Sequence, residues 1–161
     1  VQDKYARHTM AETDSPDIAR MRQMLSQGFA RSAFVNDVGI QFLDCGPGWC
    51  EAGLALAPRH LQHTQSAHAG VITTLADHCA GVAAQSLAQP GEYVLTVEFK
   101  QNLLRPASCS GQGERLLCRA TVLKPGKAFH VVESEVFLLS GDDKRTLVAK
   151  LTATLAVVRP S

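Results

Sequence analysis

The sequence has no run of about 18 apolar residues, so no helix long and greasy enough to cross a membrane is expected. It has no excess of one charge either. Lys and Arg number 16 and Asp and Glu 15, for a formal net charge of +1. A chain so nearly neutral does not advertise a polyanionic partner, because nucleic-acid binding rests on a basic surplus or stripe. No basic segment followed by an apolar stretch opens the chain, so no secretory leader is read. The five cysteines (Cys45, Cys50, Cys79, Cys109, Cys118) are odd in number and form no Cys-x-x-Cys pair. That speaks against a disulfide framework or a zinc ribbon and leads us to expect a reducing, cytoplasmic setting. Internal repeats and low-complexity stretches are also missing.

What is present is ordinary globular material. Apolar residues make up 45% and charged residues 19% of 161, enough for one compact domain and too much for a disordered chain. Residues 1–13 are polar and aperiodic and read as a tail. Asp14-Ser15-Pro16 offers a helix cap with a proline just inside it. Ile18, Met21, Met24, Leu25 and Phe29 then follow helical spacing to about residue 31. The texture changes at Phe34, so the chain divides into an N-terminal tail and helix over 1–33 and a main domain over 34–161.

In the main domain Val38 to Leu43 reads as a strand, Gly46-Pro47-Gly48 as a turn, and Trp49 to Ala57 as a second strand with Leu54 and Leu56 on one face. Residues 58–67 form a polar loop. Ala69 to Leu87 is apolar on nearly every side, so this helix is expected to be wrapped by other structure. Four strands follow over 94–103, 110–123, 129–139 and 146–158. In the first, Leu95, Val97 and Phe99 share a face. In the last, Leu147, Ala149, Leu151, Ala153, Leu155 and Val157 do. Pro125-Gly126 and Ser140-Gly141-Asp142-Asp143 make turns. Tight turns between consecutive strands impose antiparallel pairing. The economical solution is an α+β fold, one antiparallel sheet curled around a long central helix.

One residue of that helix is out of place. Asp77 stands among Leu75, Ala76, Cys79 and Ala80, and a carboxylate in such surroundings costs several kcal/mol, on the order of the penalty for any uncompensated buried polar group. It is either satisfied by a structural partner or kept for chemistry. His68 stands where the helix begins. Helix starts expose unpaired N–H groups and carry about half a positive charge. Ala69 and Gly70 are small enough to let a ligand reach that backbone, which makes an oxyanion site.

In this order the residues resemble the hotdog-fold acyl-CoA thioesterases of the PaaI-like family. Gln62 stands six residues before His68. His68-Ala69-Gly70 is similar to the family's His-Gly-Gly, and Asp77 follows at the position of its Asp or Glu. Thr96 falls where relatives carry Ser or Thr. Leu103-Leu104-Arg105-Pro106-Ala107, Gly126-Lys127 and the run from Leu147 to Val158 look like the family's later strands. The resemblance covers about residues 34–158. It implies the hotdog fold and an acyl-CoA substrate, with no cofactor and no metal. Asp77 would be nucleophile or general base. The Ala69 N–H, with Gln62 nearby, would polarise the thioester carbonyl. Thr96 would hold the attacking water, and His68 would shape the loop. Two departures stand out: Ala69 replaces a usual glycine, and Gln62 stands where many relatives have Asn.

Geometry adds an expectation of its own. His68 and Asp77 lie nine residues apart, about 13 Å along a helix at 1.5 Å per residue. One carbonyl cannot lie within about 3 Å of both ends in a single chain. If both act on it, they come from two protomers, so a homodimer sharing its sites is expected; a dimer of dimers is expected beyond it, though this geometry does not choose between dimer and tetramer. Rival classes are a non-catalytic acyl-CoA binder and a dehydratase acting on hydroxyacyl thioesters, in which His68 and Asp77 would pair across the dimer.

The remaining chemistry-bearing residues have plainer readings. His60, His63, His68 and His78, with Cys79, lack the helix-face spacing of a metal set, and His60 and His63 read as solvated loop residues, His63 within reach of ligand. Cys79 reads as a small apolar core residue rather than a nucleophile. Trp49 and the methionines of the first helix read as packing. Arg105, Lys124 and Lys127 are candidates for the CoA phosphates.

Overall fold

The computed structural model describes residues 15–141 and 144–160. The tail expected over 1–13, Asp14 of the expected cap and Asp142-Asp143 of the last turn lie outside them. Helix α1 runs Pro16–Ala30, and the Ser15 side chain accepts the Ile18 N–H at its start. Proline at the first helical position sacrifices only an N–H that would have no partner there. A short helix α2, Ala33–Val38, follows and is closed by Gly39 at φ +91. The Gly39 N–H returns to the carbonyls of Val35 and Asn36, so the strand expected from Val38 begins only at Gln41. The left-handed turn consumes the intervening residues and suits glycine.

Six strands follow in the order expected around a central helix: β1 Gln41–Gly46, β2 Trp49–Ala55, then helix α3 Ala69–Gln85, then β3 Tyr93–Leu103, β4 Arg115–Lys124, β5 Phe129–Ser140 and β6 Lys144–Val158. They form one antiparallel sheet of order β1-β2-β4-β5-β6-β3. β3 therefore leaves α3 and crosses to the far edge beside β6.

Helix α3 lies on one face of this sheet. It buries Ile72, Leu75, Ala76, Cys79, Ala80 and Ala83 against Cys50, Ala52 and Leu54 of β2, Leu116 and Cys118 of β4, and inward residues of β5 and β6. Each fully buried leucine contributes about 1.5–3 kcal/mol. The Cys79 thiol donates to the Cys50 carbonyl at 3.2 Å, and the Ser134 hydroxyl to the Ala76 carbonyl at 2.9 Å. Cys79 is thus a core residue, as its sequence neighbours suggest. Burial pushes the neighbouring Cys45 thiol up to about 11, far from a reactive thiolate. All five cysteines are free.

Three of the departures from simple alternation bear on the faces and bounds expected above. The register of β3 against β6 shifts between Thr96 and Glu98, and that of β5 against β6 between Val136 and Phe137. The first bulge leaves Val97 unpaired and puts Phe99 opposite inward-facing Ala153, so Leu95 and Phe99 do not share a face. The second buries both Val148 and Ala149 and sets Leu147 opposite Phe137, which carries Arg145 over its ring on the outer face. A bulge inserts one residue, and every side chain beyond it changes face. The third detail is the start of β4, five residues later than the alternation from Ser110 indicates. Gly111 and Gly113 have φ of +83 and +87, and the chain wraps the Glu114 carboxylate instead of extending.

That carboxylate accepts the Ser110 hydroxyl and the Ser110 and Gln112 N–H groups. The Ser110 hydroxyl and the backbone donors bring its pKa down from 4.5 to about 2. A depressed carboxyl stabilises the fold above its unfolded pKa and loses that contribution as pH falls through the folded one. Glu114→Gln is therefore expected to be less stable than the native chain at pH 7, with the difference shrinking as pH falls from about 4.5 towards 2. Urea unfolding of both proteins at pH 7 and pH 3 checks this; a difference independent of pH would contradict it.

Among the described residues no helix is long and apolar enough to cross a membrane.

Candidate active site

The loop before α3 is held from both sides. The Gln62 N–H donates to the Ser66 carbonyl at 2.8 Å, and Gln65 takes φ +58 to close that turn. The Ala67 N–H donates to Ala107, and the Cys109 N–H to Gln65, both at 2.9 Å. The segment wrapped around Glu114 thus fixes the approach to the helix. His68 caps α3: its Nδ1 accepts the Gly70 N–H at 2.9 Å, and its carbonyl accepts Val71 and Ile72. Gly70 is committed to the cap, which leaves Ala69 as the first-turn donor. Among the described residues the Ala69 N–H has no protein acceptor. Ala69 and Gln62 line one cleft of about 620 Å³ together with Ile72, Leu103 and Arg105.

Asp77 lies two and a half turns further along. It is partly exposed, not buried on all sides, because the side of α3 that carries it faces away from the central strands. Its Oδ1 accepts the Thr96 hydroxyl at 2.9 Å. Thr96 lies on the face opposite Leu95, as alternation requires, and it is this face that points inward; the bulge comes only beyond Thr96. Thr96 pairs with inward-facing Leu155, so its hydroxyl meets the helix. Asp77 and Thr96 open on a second cavity, of about 470 Å³, walled by Val82 and Leu95 and, across from them, by Met24, Leu25 and Phe29 of α1. The sequence did not announce that α1 would serve as a wall. Its methionines and Phe29 read equally well as packing, and no pattern within α1 says which element its apolar face meets.

His78, beside Asp77, also lines this cavity. Its ring stacks edge-on against Phe29 at 4.5 Å, and burial lowers its pKa below the ordinary histidine value.

The two cavities share no lining residue. Asp77 with Thr96 and Ala69 with Gln62 thus lie apart in one chain, Ala69 and Asp77 separated by the rise of eight helical residues, about 12 Å. Other expected residues are scattered. His60 is a correction: it is buried at 3% exposure, not solvated. Its Nδ1 accepts the Ala57 N–H, which puts the ring proton on Nε2, 2.7 Å from the Val38 carbonyl. It ties the loop to α2. His63 is exposed and lines neither cavity. Arg105 lines the Ala69 cleft. Lys127 lines a third cavity with His130, Glu92 and Arg159, and Lys124 ends β4. Trp49 packs under the Arg119 guanidinium at 4.4 Å. Among the described residues no three His, Cys, Asp or Glu side chains gather as a metal set.

Comparison with known proteins identifies the family. The sequence model of the Thioesterase superfamily matches residues 64–144, which take in the start of α3, Asp77 and Thr96. A solved thioesterase family protein from Silicibacter pomeroyi is 33% identical over 86% of this chain and 98% of its own, with a TM-score of 0.80. The chain belongs to the thioesterase superfamily. Its sheet wrapped on α3 is the hotdog fold. The thioesterase HI1161 from Haemophilus influenzae is 27% identical, covering 85% of this chain and 90% of its own, with a TM-score of 0.69. The E. coli PaaI protein from the phenylacetic acid degradation operon shares the fold at 20% identity, covering 89% and 98%, with a TM-score of 0.76. No protein of curated function matches this chain.

Proposed function

We propose that this superfamily member is an acyl-CoA thioesterase that hydrolyses an acyl or aryl thioester to a carboxylic acid and free CoA. The observation that carries this is the Thr96 to Asp77 hydrogen bond at 2.9 Å at the edge of a largely apolar cavity. Thr96 spends its proton on Asp77, and its oxygen retains lone pairs that accept a water hydrogen. A water held there lies beside a carboxylate able to take its second proton. The resulting hydroxide adds to the thioester carbonyl. The negative charge on oxygen is met by the Ala69 N–H and the Gln62 amide, where the helix start adds its partial positive charge. Collapse of that intermediate breaks the C–S bond, and the thiolate leaves with the proton that Asp77 gathered. Direct attack by Asp77, giving a mixed anhydride that water then opens, uses the same groups.

Both routes need Asp77 and Ala69 on one carbonyl, and one chain holds them too far apart. The working site is therefore formed between two copies, Asp77 and Thr96 from one and Gln62, His68, Ala69 and Gly70 from the other. β3 supports such pairing. It is an eleven-residue edge strand with Leu95 at 54% and Val97 at 59% exposure, and an open apolar edge invites a second strand. We expect sedimentation to find no monomer at micromolar concentration; a folded, active monomer would remove the shared site. A dimer of dimers, a reducing cytoplasmic setting, and CoA phosphates met by Arg105, Lys124 or Lys127 belong to the same proposal.

The test is a panel of acyl-CoAs with a thiol reagent. Hydrolysis releases free thiol and acid. Binding with no thiol makes the protein a carrier. An enoyl product without thiol makes it a dehydratase.

A further inference from the structure

Gly28 and Gly81 stand inside helices, where glycine is the weakest former after proline. Gly28 belongs to α1 and Gly81 to α3, and both line the cavity beside Asp77. Helical glycines are normally explained by a positive φ or by close contact. Neither applies: neither residue has positive φ, and a Cβ built on either would meet nothing within 4 Å. Each therefore gives up helix stability without relieving any crowding in the chain. What both omit is volume, and they omit it in the same cavity. At about 470 Å³, with mostly apolar walls that also carry a few polar groups such as Arg31, Ser32 and Gln85, this space has the size and lining of a small-ligand pocket. CoA itself is polar and phosphorylated; the acyl group is the apolar part of the substrate.

We propose that Gly28 and Gly81 are specificity-determining residues. By withholding their side chains they keep the cavity between α1 and α3 open for an acyl group larger than acetyl, a medium alkyl chain or an aromatic ring. This rests on the assignment of the reacting carbonyl to Asp77, and it makes α1, outside the segment matched by the superfamily, the selector of substrate length.

The test separates acyl binding from hydrolysis. Calorimetry with non-hydrolysable S-alkyl-CoA thioethers, ethyl to decyl, measures how affinity grows with chain length. In the native protein affinity should rise about fourfold per methylene until the cavity is full. Gly28→Leu and Gly81→Leu should each lower the octyl-to-ethyl affinity ratio at least tenfold. Gly28→Ala and Gly81→Ala should lower it less and raise Tm by a few degrees, which keeps the test open if a leucine variant fails to fold. A native affinity independent of chain length, or a ratio within twofold of native in folded variants, overturns the proposal. So does a glycine variant whose only defect is loss of assembly, since the glycines would then make room for a partner chain. Hydrolysis by Asp77→Asn is assayed separately: full activity there defeats the assignment of Asp77, whereas an inert Asp77→Asn beside unaltered chain-length ratios defeats this inference alone.

Discussion

Asp77→Asn is expected to lower kcat at least about 100-fold, the lower end of the effect of losing an acid–base or nucleophilic group, while the fold is kept. The substitution is nearly isosteric. The Asn side-chain oxygen still accepts the Thr96 hydroxyl that Asp77 accepts at 2.9 Å, so the side-chain hydrogen bond that holds Asp77 among the described residues survives. Asp77 is partly exposed and makes no ion pair among the described residues, so losing its charge strands no buried cation. What disappears is the ability to take a proton from water or to attack carbon. Thiol release under saturating acyl-CoA measures the loss, and thermal unfolding of the variant shows whether the fold is intact. Turnover near the native rate in a folded variant would return Asp77 to a structural role as the anchor of β3 on α3.

Much of this was legible because the signals are local. The proline and serine at the start of α1, the turn at Gly46–Gly48 and the unbroken apolar run of α3 each act within a few residues, and each element appears where its signal lies. The elements that were misread depend on partners. Which residue of β3 is left unpaired is decided by β6, so the bulge at Val97 could not be seen in the alternation of one strand, nor that at Val148 in β6. His60 looked like one polar residue in a polar loop; only the neighbouring carbonyl of Val38 makes it a buried tie. β4 began late because Glu114 gathers the preceding residues around itself. The candidate site was legible as a set of residue types in order. Its division into two cavities was foreshadowed by the length of α3 alone, while the wall supplied by α1 depends on a tertiary contact between Phe29 and His78.

A mixture of two dead enzymes should recover activity. One chain carries Asp77→Asn. The other carries Gln62→Ala with Ala69→Pro, which removes the side-chain amide and the N–H proposed to hold the carbonyl oxygen. Proline is well suited to this lesion. Ala69 is the first residue of α3, where proline is favoured, and its N–H has no protein acceptor among the described residues. His68 before it lies at φ −63 and ψ 140, the extended conformation that a following proline demands. The backbone therefore already has the geometry the substitution needs, and the N–H is what it loses. Each variant alone should be nearly inactive, because every site in it lacks one half. In a heterodimer one site collects both lesions and the other collects neither. Random pairing makes about half of the dimers mixed, each with one intact site in two, so roughly a quarter of native activity should return if sites act independently. The check is thiol release before and after verified subunit exchange. An absence of recovery with both variants folded and exchanged would mean that Asp77 and the start of α3 serve one carbonyl from the same chain, and the shared site would have to be abandoned.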